Sequence, residues 1–184
     1  MAGRLATYRI QLTPQFGFDA ARAIVPDVAR LGVTHLYLSP VAEAVTGSTH
    51  GYDVVDPSRV RDELGGRDAL WHLAETARAC GLGLLLDLVP NHVSTAEPQR
   101  NPWWWALLRD GPGSAASAYF DVDCEAGHGQ VIVPVLSAPV AEEIAAGNLV
   151  VEPSVPPTVP DHDLVLRFHD RAFPLRASSG AAPI

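Results

Sequence analysis

Two short stretches gather most of the side chains in this sequence that could act on a ligand. GSTHGYDVVDP (47–57) sets His50, Tyr52, Asp53 and Asp56 within one turn-rich segment, and DLVPNH (87–92) closes a greasy run with Asp87, Asn91 and His92. A tyrosine offers a flat apolar face with a hydroxyl at its edge, which suits stacking on a polyhydroxylated ring. Imidazoles and carboxylates can exchange hydrogen bonds with the hydroxyls of such a ring. Paired carboxylates can also serve as acid and base, so a small hydrolase using Asp53 and Asp87 is one reading. No neighbouring feature would raise the pKa of either, as an acid catalyst needs. Asp53 and Asp56 read more simply as partners of Arg59 or Arg61.

Composition removes other chemistries. All 13 basic residues among the 184 are arginine, so no lysine can form a Schiff base or meet a nucleotide phosphate. A net charge of −8 argues against nucleic acid as a partner. The 2 cysteines, Cys80 and Cys124, lack metal-ligand spacing, and Cys80 reads as a reduced thiol among apolar neighbours. No cofactor and no metal is expected. No apolar run approaches the roughly 20 residues a membrane span needs, and a cytoplasmic protein without membrane contact is expected.

The elements that must position these residues follow an alternating order. Residues 5–12 predict a strand, and a helix capped by Asp19 runs to Leu31, with Pro26 as a kink or break and Gly32 as its stop. VTHLYLSP (33–40) predicts a second strand, and 41–65 a loop. Leu70, Leu73, Ala74 and Ala77 give the stripe of a helix over 67–80. GLGLLLDLVP (81–90) predicts a third strand, apolar on both faces as a parallel strand covered on both sides requires. Strand–helix–strand–helix–strand predicts a parallel α/β sheet with right-handed crossovers. Its carboxyl edge would carry Ser39-Pro40, the 41–65 loop and Asp87–His92 together.

After His92 the pattern dissolves. Residues 119–136 suggest short extended pieces and 140–147 a short helix. EPSVPPTVP (152–160) reads as a proline-rich connector, and LVLRFHDRAFPL (164–175) as a hairpin turning at Asp170-Arg171. Trp103, Trp104 and Trp105 point in different directions on a helix and read mainly as anchors of a core. Asp121 and Asp123 read as surface or turn residues, and His128, His162 and His169 receive no role.

The two chemical stretches resemble the α-amylase superfamily of glycoside hydrolases and transglycosylases. That superfamily places His-Gly-Tyr after the second barrel strand and Asp-x-x-x-Asn-His at the end of the third, and both occur here in that order. TYRIQLTPQFGFDAA, LGVTHLYLSP, ELGG, NPWWW, YFDVD, VIVPVL and LVLRFHDRAFPL extend the resemblance over roughly residues 5–176. They point to the branch that converts the reducing-end α-1,4 bond of a maltooligosaccharide into an α,α-1,1 bond.

The resemblance implies the first three βα units of a TIM (β/α)8 barrel plus the irregular insertion that follows strand 3. A whole barrel takes about 250 residues, so this chain reads as the first part of something larger. Residues 1–92 would be partial barrel, 93–176 an insertion with short helices and a hairpin, and 177–184 a flexible tail. The family mechanism is retaining, with two carboxyl groups roughly 5–5.5 Å apart. Its nucleophile, acid/base and third essential acid lie on later strands, so no catalytic residue is assigned here.

Tyr52 would stack on the glucose where the bond breaks, and His92 would bond to a hydroxyl of that sugar. Asp87 and Asn91 would hold the motif, and His50 and Asp53 would make polar contacts at the rim. Calcium, which some relatives bind at the matching asparagine, is not expected. The partners implied are a maltooligosaccharide or α-glucan and the missing remainder of the barrel. A non-catalytic α-glucan-binding module is the alternative.

Overall fold

The structure, a computed structural model, describes residues 5–123, 125–153 and 164–175. The chain divides into two compact units, one ending at Ser94 and the next beginning at Thr95. The first runs β1 (Thr7–Ile10), α1 (Phe18–Arg30), β2 (His35–Leu38), β3 (Ala42–Ala44), β4 (Val54–Val60), α2 (Gly66–Ala79) and β5 (Gly83–Leu86).

β1, β2 and β5 form a parallel sheet with β2 in the centre. Register is unshifted across all three: Arg9, Tyr37 and Leu85 make one row, and Ile10, Leu38 and Leu86 the next. Alternation along a strand sends these rows to opposite faces. Ile10, Leu36 and Leu38 go inward, where they pack with Phe18, Ala21, Val25 and Val28 of α1 and Leu73 and Ala77 of α2. Fully burying a side chain of this size is worth about 1.5–3 kcal/mol, so this layer carries most of the unit's stability.

The expected helices form, with two local differences. Gly17, not Asp19, is the N-cap of α1; Asp19 sits in the first turn and pairs with Arg22 at 3.1 Å. A carboxylate there still complements the helix dipole. Pro26 does not break the helix, because it falls on the exposed side and the segment continues to Arg30.

β5 departs from the expectation of burial on both faces. Leu85 and Leu86 are 46% and 40% exposed, because β5 is an edge strand and the helices of this unit cover only one face of the sheet. The segment 41–65 is also more ordered than a loop. β3 and β4 pair antiparallel with register shifts on either side of Glu43, and a single 3-10 turn over Asp62–Leu64 leads into α2. Pro57 and the surrounding Gly, Ser and Asp mask the strand pattern of Val54–Val60.

In the second unit a 3-10 turn over Pro98–Arg100 leads into α3 (Pro102–Asp110), whose N-cap Asn101 accepts a bond from Trp104 N–H at 2.9 Å. The three tryptophans take three directions. Trp105 is buried with Val165 and Ala172, Trp103 stacks on Tyr119, and Trp104 tilts against Phe120. After α4 (Val140–Ala145), β6 (Leu149–Pro153), β7 (Leu164–Phe168) and β8 (Arg171–Pro174) form an antiparallel sheet. The predicted hairpin is β7–β8; its turn lies one residue earlier, at His169-Asp170, with His169 at φ 53°. β6 was not anticipated, and no strand occurs among the described residues of 119–136. Cys124, His162, most of the proline-rich connector and the tail lie outside the described residues.

Gly17 makes the start of α1 fit. A Cβ there would lie 2.5 Å from the carbonyl oxygen of Leu64, a backbone atom that cannot swing aside. Gly17→Ala is therefore expected to cost about 1–3 kcal/mol in urea unfolding. An unchanged midpoint would show that this approach does not constrain the fold.

Candidate functional site

Because β1, β2 and β5 are parallel and in register, Gln11, Ser39 and Asp87 follow directly at one edge of the sheet. The ladder continues through this edge: Ser39 N–H donates to Ile10 O at 3.1 Å and Asp87 N–H to Leu38 O at 3.0 Å. The chain leaves β2 there, makes the β3–β4 excursion, and presents the turn 46–53 back to the same edge. Gly51 permits that turn. Its φ is +78°, and a Cβ would meet the Pro40 carbonyl oxygen at 2.9 Å, so both conformation and space demand glycine.

Tyr52 and Asp87 meet across 35 residues. The Tyr52 hydroxyl donates to Asp87 Oδ2 at 2.6 Å, and the Tyr37 hydroxyl donates to the same oxygen at 2.9 Å. Arg9 donates to the Tyr52 hydroxyl at 3.3 Å, and its guanidinium carbon lies 5.5 Å from the centre of the Tyr37 ring. The Asp87 carboxylate, with burial assisting, raises the Tyr37 phenol above its ordinary pKa. The bond to Tyr52 raises the Arg9 guanidinium in turn. Asp87 thus accepts from two phenols, and the Arg9 guanidinium lies against both.

His92 joins this cluster from the far side of the 87–92 turn. Its Nε2 lies 3.2 Å from the Tyr52 carbonyl oxygen, to which it donates, and its Nδ1 lies 3.2 Å from Oδ1 of Asn91. His50 accepts from Tyr52 N–H at its Nδ1, 3.1 Å, and its ring lies nearly parallel to the Tyr52 ring, centroids 6.1 Å apart. Asp53 sits lower, bonded by the Ser48 hydroxyl at 2.5 Å and 3.8 Å from His50 Nδ1. Tyr52, at 38% exposure, His50 and His92 reach solvent, while Asp53 is half-buried.

The six singled-out residues therefore lie at one edge of one sheet, with Tyr52 touching His50, Asp87 and His92 directly. The ion pairs expected of Asp53 and Asp56 do not form. Asp56 accepts from the N–H and hydroxyl of Ser58 at 2.9 and 2.6 Å, while Arg59 pairs with Asp62 and the buried Arg61 with Glu63. Serines two and five residues away take these carboxylates, and both arginines are engaged by the acids that follow them, Asp62 and Glu63. Asp53 and Asp87 are each engaged by hydroxyl donors, which leaves them unlike a free acid–base couple.

Arg9, Gln11 and Tyr37 belong to the cluster without having been singled out. The signal for Arg9 and Gln11 is alternation: they fall two apart along β1 and its extension, exposed where Ile10 and Leu12 are buried. Among the described residues no three His, Cys, Asp or Glu side chains come together to hold a metal ion, and no helix is long and apolar enough to cross a membrane.

Comparison with known proteins adds a second line of findings. The family description "Alpha amylase, catalytic domain" matches residues 25–109. A protein named as a maltooligosyl trehalose synthase in Mycobacterium tuberculosis is 44% identical over 181 residues, covering 96% of this chain and 22% of that protein. The structure of maltooligosyltrehalose synthase from Arthrobacter ramosus superposes with a TM-score of 0.80 at 38% identity, covering 98% of this chain and 22% of that one. A 1,4-alpha-glucan branching enzyme from Burkholderia thailandensis is 40% identical over 74 residues, 40% of this chain and 9% of the enzyme. The chain thus spans about a fifth of the length of the synthases it matches.

The Tyr37–Asp87 bond predicts an alkaline signature. A phenol whose pKa is raised by folding stabilises the fold fully below the unfolded value of about 10, and that contribution is lost as pH rises through the folded value. Wild type should exceed Tyr37→Phe in urea stability at pH 8 by more than at pH 11. An equal gap at both would mean that the phenol proton is not shared with Asp87.

Proposed function

We infer that this chain is part of a maltooligosyl trehalose synthase of the α-amylase superfamily, and that it supplies one wall of the pocket gripping the substrate's glucose. The observation that carries the reading is the junction of Tyr52, Asp87 and His92 at the carboxyl edge of a parallel sheet. Such edges are where α/β folds place ligands. Similarity to the synthases over nearly the whole chain supports it.

In this reading β1, β2 and β5 are the first three strands of a (β/α)8 barrel, and the row Arg9, Tyr37 and Leu85 faces its interior. The outer edges of β1 and β5 would pair with strands from the remaining length of the enzyme, since closure removes exposed edges. Residues 93–176 form the insertion after the third strand. The glucose of the maltooligosaccharide at which the bond breaks lies against the Tyr52 ring, and His92 bonds to one of its hydroxyls. The two turns thereby fix the sugar while its glycosidic bond is exchanged from α-1,4 to α,α-1,1.

The carboxylates that attack and protonate belong to later strands, so the 184-residue chain alone forms no product. The alternative of a free-standing glucan-binding module gains no support from relatives that are synthases.

A chimera tests this. Replacing the matching fifth of the Arthrobacter ramosus synthase with this chain should give an enzyme that forms trehalose-ended products from maltohexaose. Tyr52→Ala in the chimera should lower kcat/KM by about tenfold or more. A folded chimera without activity, or one indifferent to Tyr52→Ala, would overturn the reading.

A further inference from the structure

We propose that Arg9 on β1 and Gln11 just past its end are a positioning pair for the sugar-facing turn: Gln11 fixes its backbone and Arg9 fixes the ring of Tyr52. The proposal rests on the reading of Tyr52 as the surface on which the glucose lies.

Tyr52 sits in a turn, not in a strand, so its ring needs restraint from elsewhere if it is to meet a ligand at a constant tilt. One restraint is the bond to Asp87, which takes the single phenolic proton. A lone bond still lets the hydroxyl pivot about its acceptor. Arg9 removes that freedom by donating to a lone pair of the same oxygen from a different strand. With its proton committed to Asp87, the Tyr52 hydroxyl has none to offer a ligand. What it presents is a ring face.

Arg9 is itself held. Gln11 Oε1 accepts from its Nη1 at 2.9 Å, and the Tyr37 ring lies beneath its guanidinium. The amide of Gln11 is used at both ends. While its oxygen holds Arg9, its Nε2 lies 3.2 Å from the carbonyl oxygen of Thr49 and 3.5 Å from that of His50, the two residues that lead into Gly51-Tyr52. It also lies 3.3 Å from the carbonyl oxygen of the next residue, Leu12. Side chain and backbone of one turn are thus tied to one strand by residues that share a hydrogen bond.

The division of labour can be separated by substitution. Gln11→Glu keeps an acceptor for Arg9 and loses the donors to the turn. Arg9→Met keeps length and loses the donor to Tyr52, and Arg9→Lys returns a charge without the planar fork. Maltohexaose affinity would be read as KM in the chimera, with thermal midpoints measured on each variant and the tyrosine absorbance titration at 295 nm on the 184-residue chain.

Arg9→Met and Gln11→Glu should each weaken binding about tenfold at nearly unchanged midpoint, with partial recovery in Arg9→Lys. Since Arg9 lowers the Tyr37 phenol against the larger opposing effect of Asp87, Arg9→Met should also move that phenol's ionisation to still higher pH. If Arg9→Met does not fold, Arg9→Lys and Gln11→Glu decide. Wild-type affinity in both, with binding lost in Tyr52→Ala, would overturn the pair while leaving the platform intact. Midpoints that fall in step with affinity would reduce the pair to a fold-stabilising contact and overturn it too. A folded chimera without activity, or an unaltered KM in Tyr52→Ala, would overturn the platform and the pair together.

Discussion

One oxygen atom, Oδ2 of Asp87, is the point on which the site of the first unit converges. It accepts from a phenol on the central strand and from a phenol on the returning turn. A carboxylate can do this because it is all acceptor, with lone pairs to spare and no proton to compete. The bonds are charge-assisted and therefore short and directional. With Asp87 fixed by its own backbone bond to Leu38, everything that touches its carboxylate inherits the position of the sheet.

That position follows from the unshifted register of β1, β2 and β5. Parallel strands in register bring their ends to one edge, and the period of two gives each face its own population. One face is Ile10, Leu36 and Leu38 against two helices; the other carries Arg9, Tyr37 and Leu85. The packed face holds the strands rigid, and the opposite face uses that rigidity to set polar groups at fixed spacings. Stability and site geometry are thus the two sides of one sheet.

The buried polar residues nearby obey a different rule. Asp56 and Glu43 are buried and accept bonds close by in the chain or from just past the end of β4, as when Glu43 accepts from Asp62 N–H at 3.1 Å, whereas the buried Arg61 pairs with Glu63 and its Nη1 meets no acceptor among the described residues. A buried charge must find donors or acceptors, and turn backbones supply them close at hand. Glu143 in the second unit follows suit, with Ser137 and Asn148 donating to it and holding its carboxyl below the ordinary range.

Much of the first unit was legible in order and type. Helical stripes such as Leu70, Leu73 and Ala77, and apolar runs such as Leu84–Leu86, are local signals, and local signals are what a sequence carries openly. The spacing of His50-Gly51-Tyr52 and Asp87-x-x-x-Asn91-His92 likewise marked side chains that the fold brings to one edge, and Gly51 is required there by its own backbone angle. What the amino-acid order could not decide was partnership. That Arg9 meets Tyr52 across 43 residues, that β6 joins β7, and that Leu85 and Leu86 lie at an edge all depend on which strands become neighbours. Neighbourhood is set by the packing of whole elements, and only the folded chain brings distant residues close enough for short-range forces to choose among them.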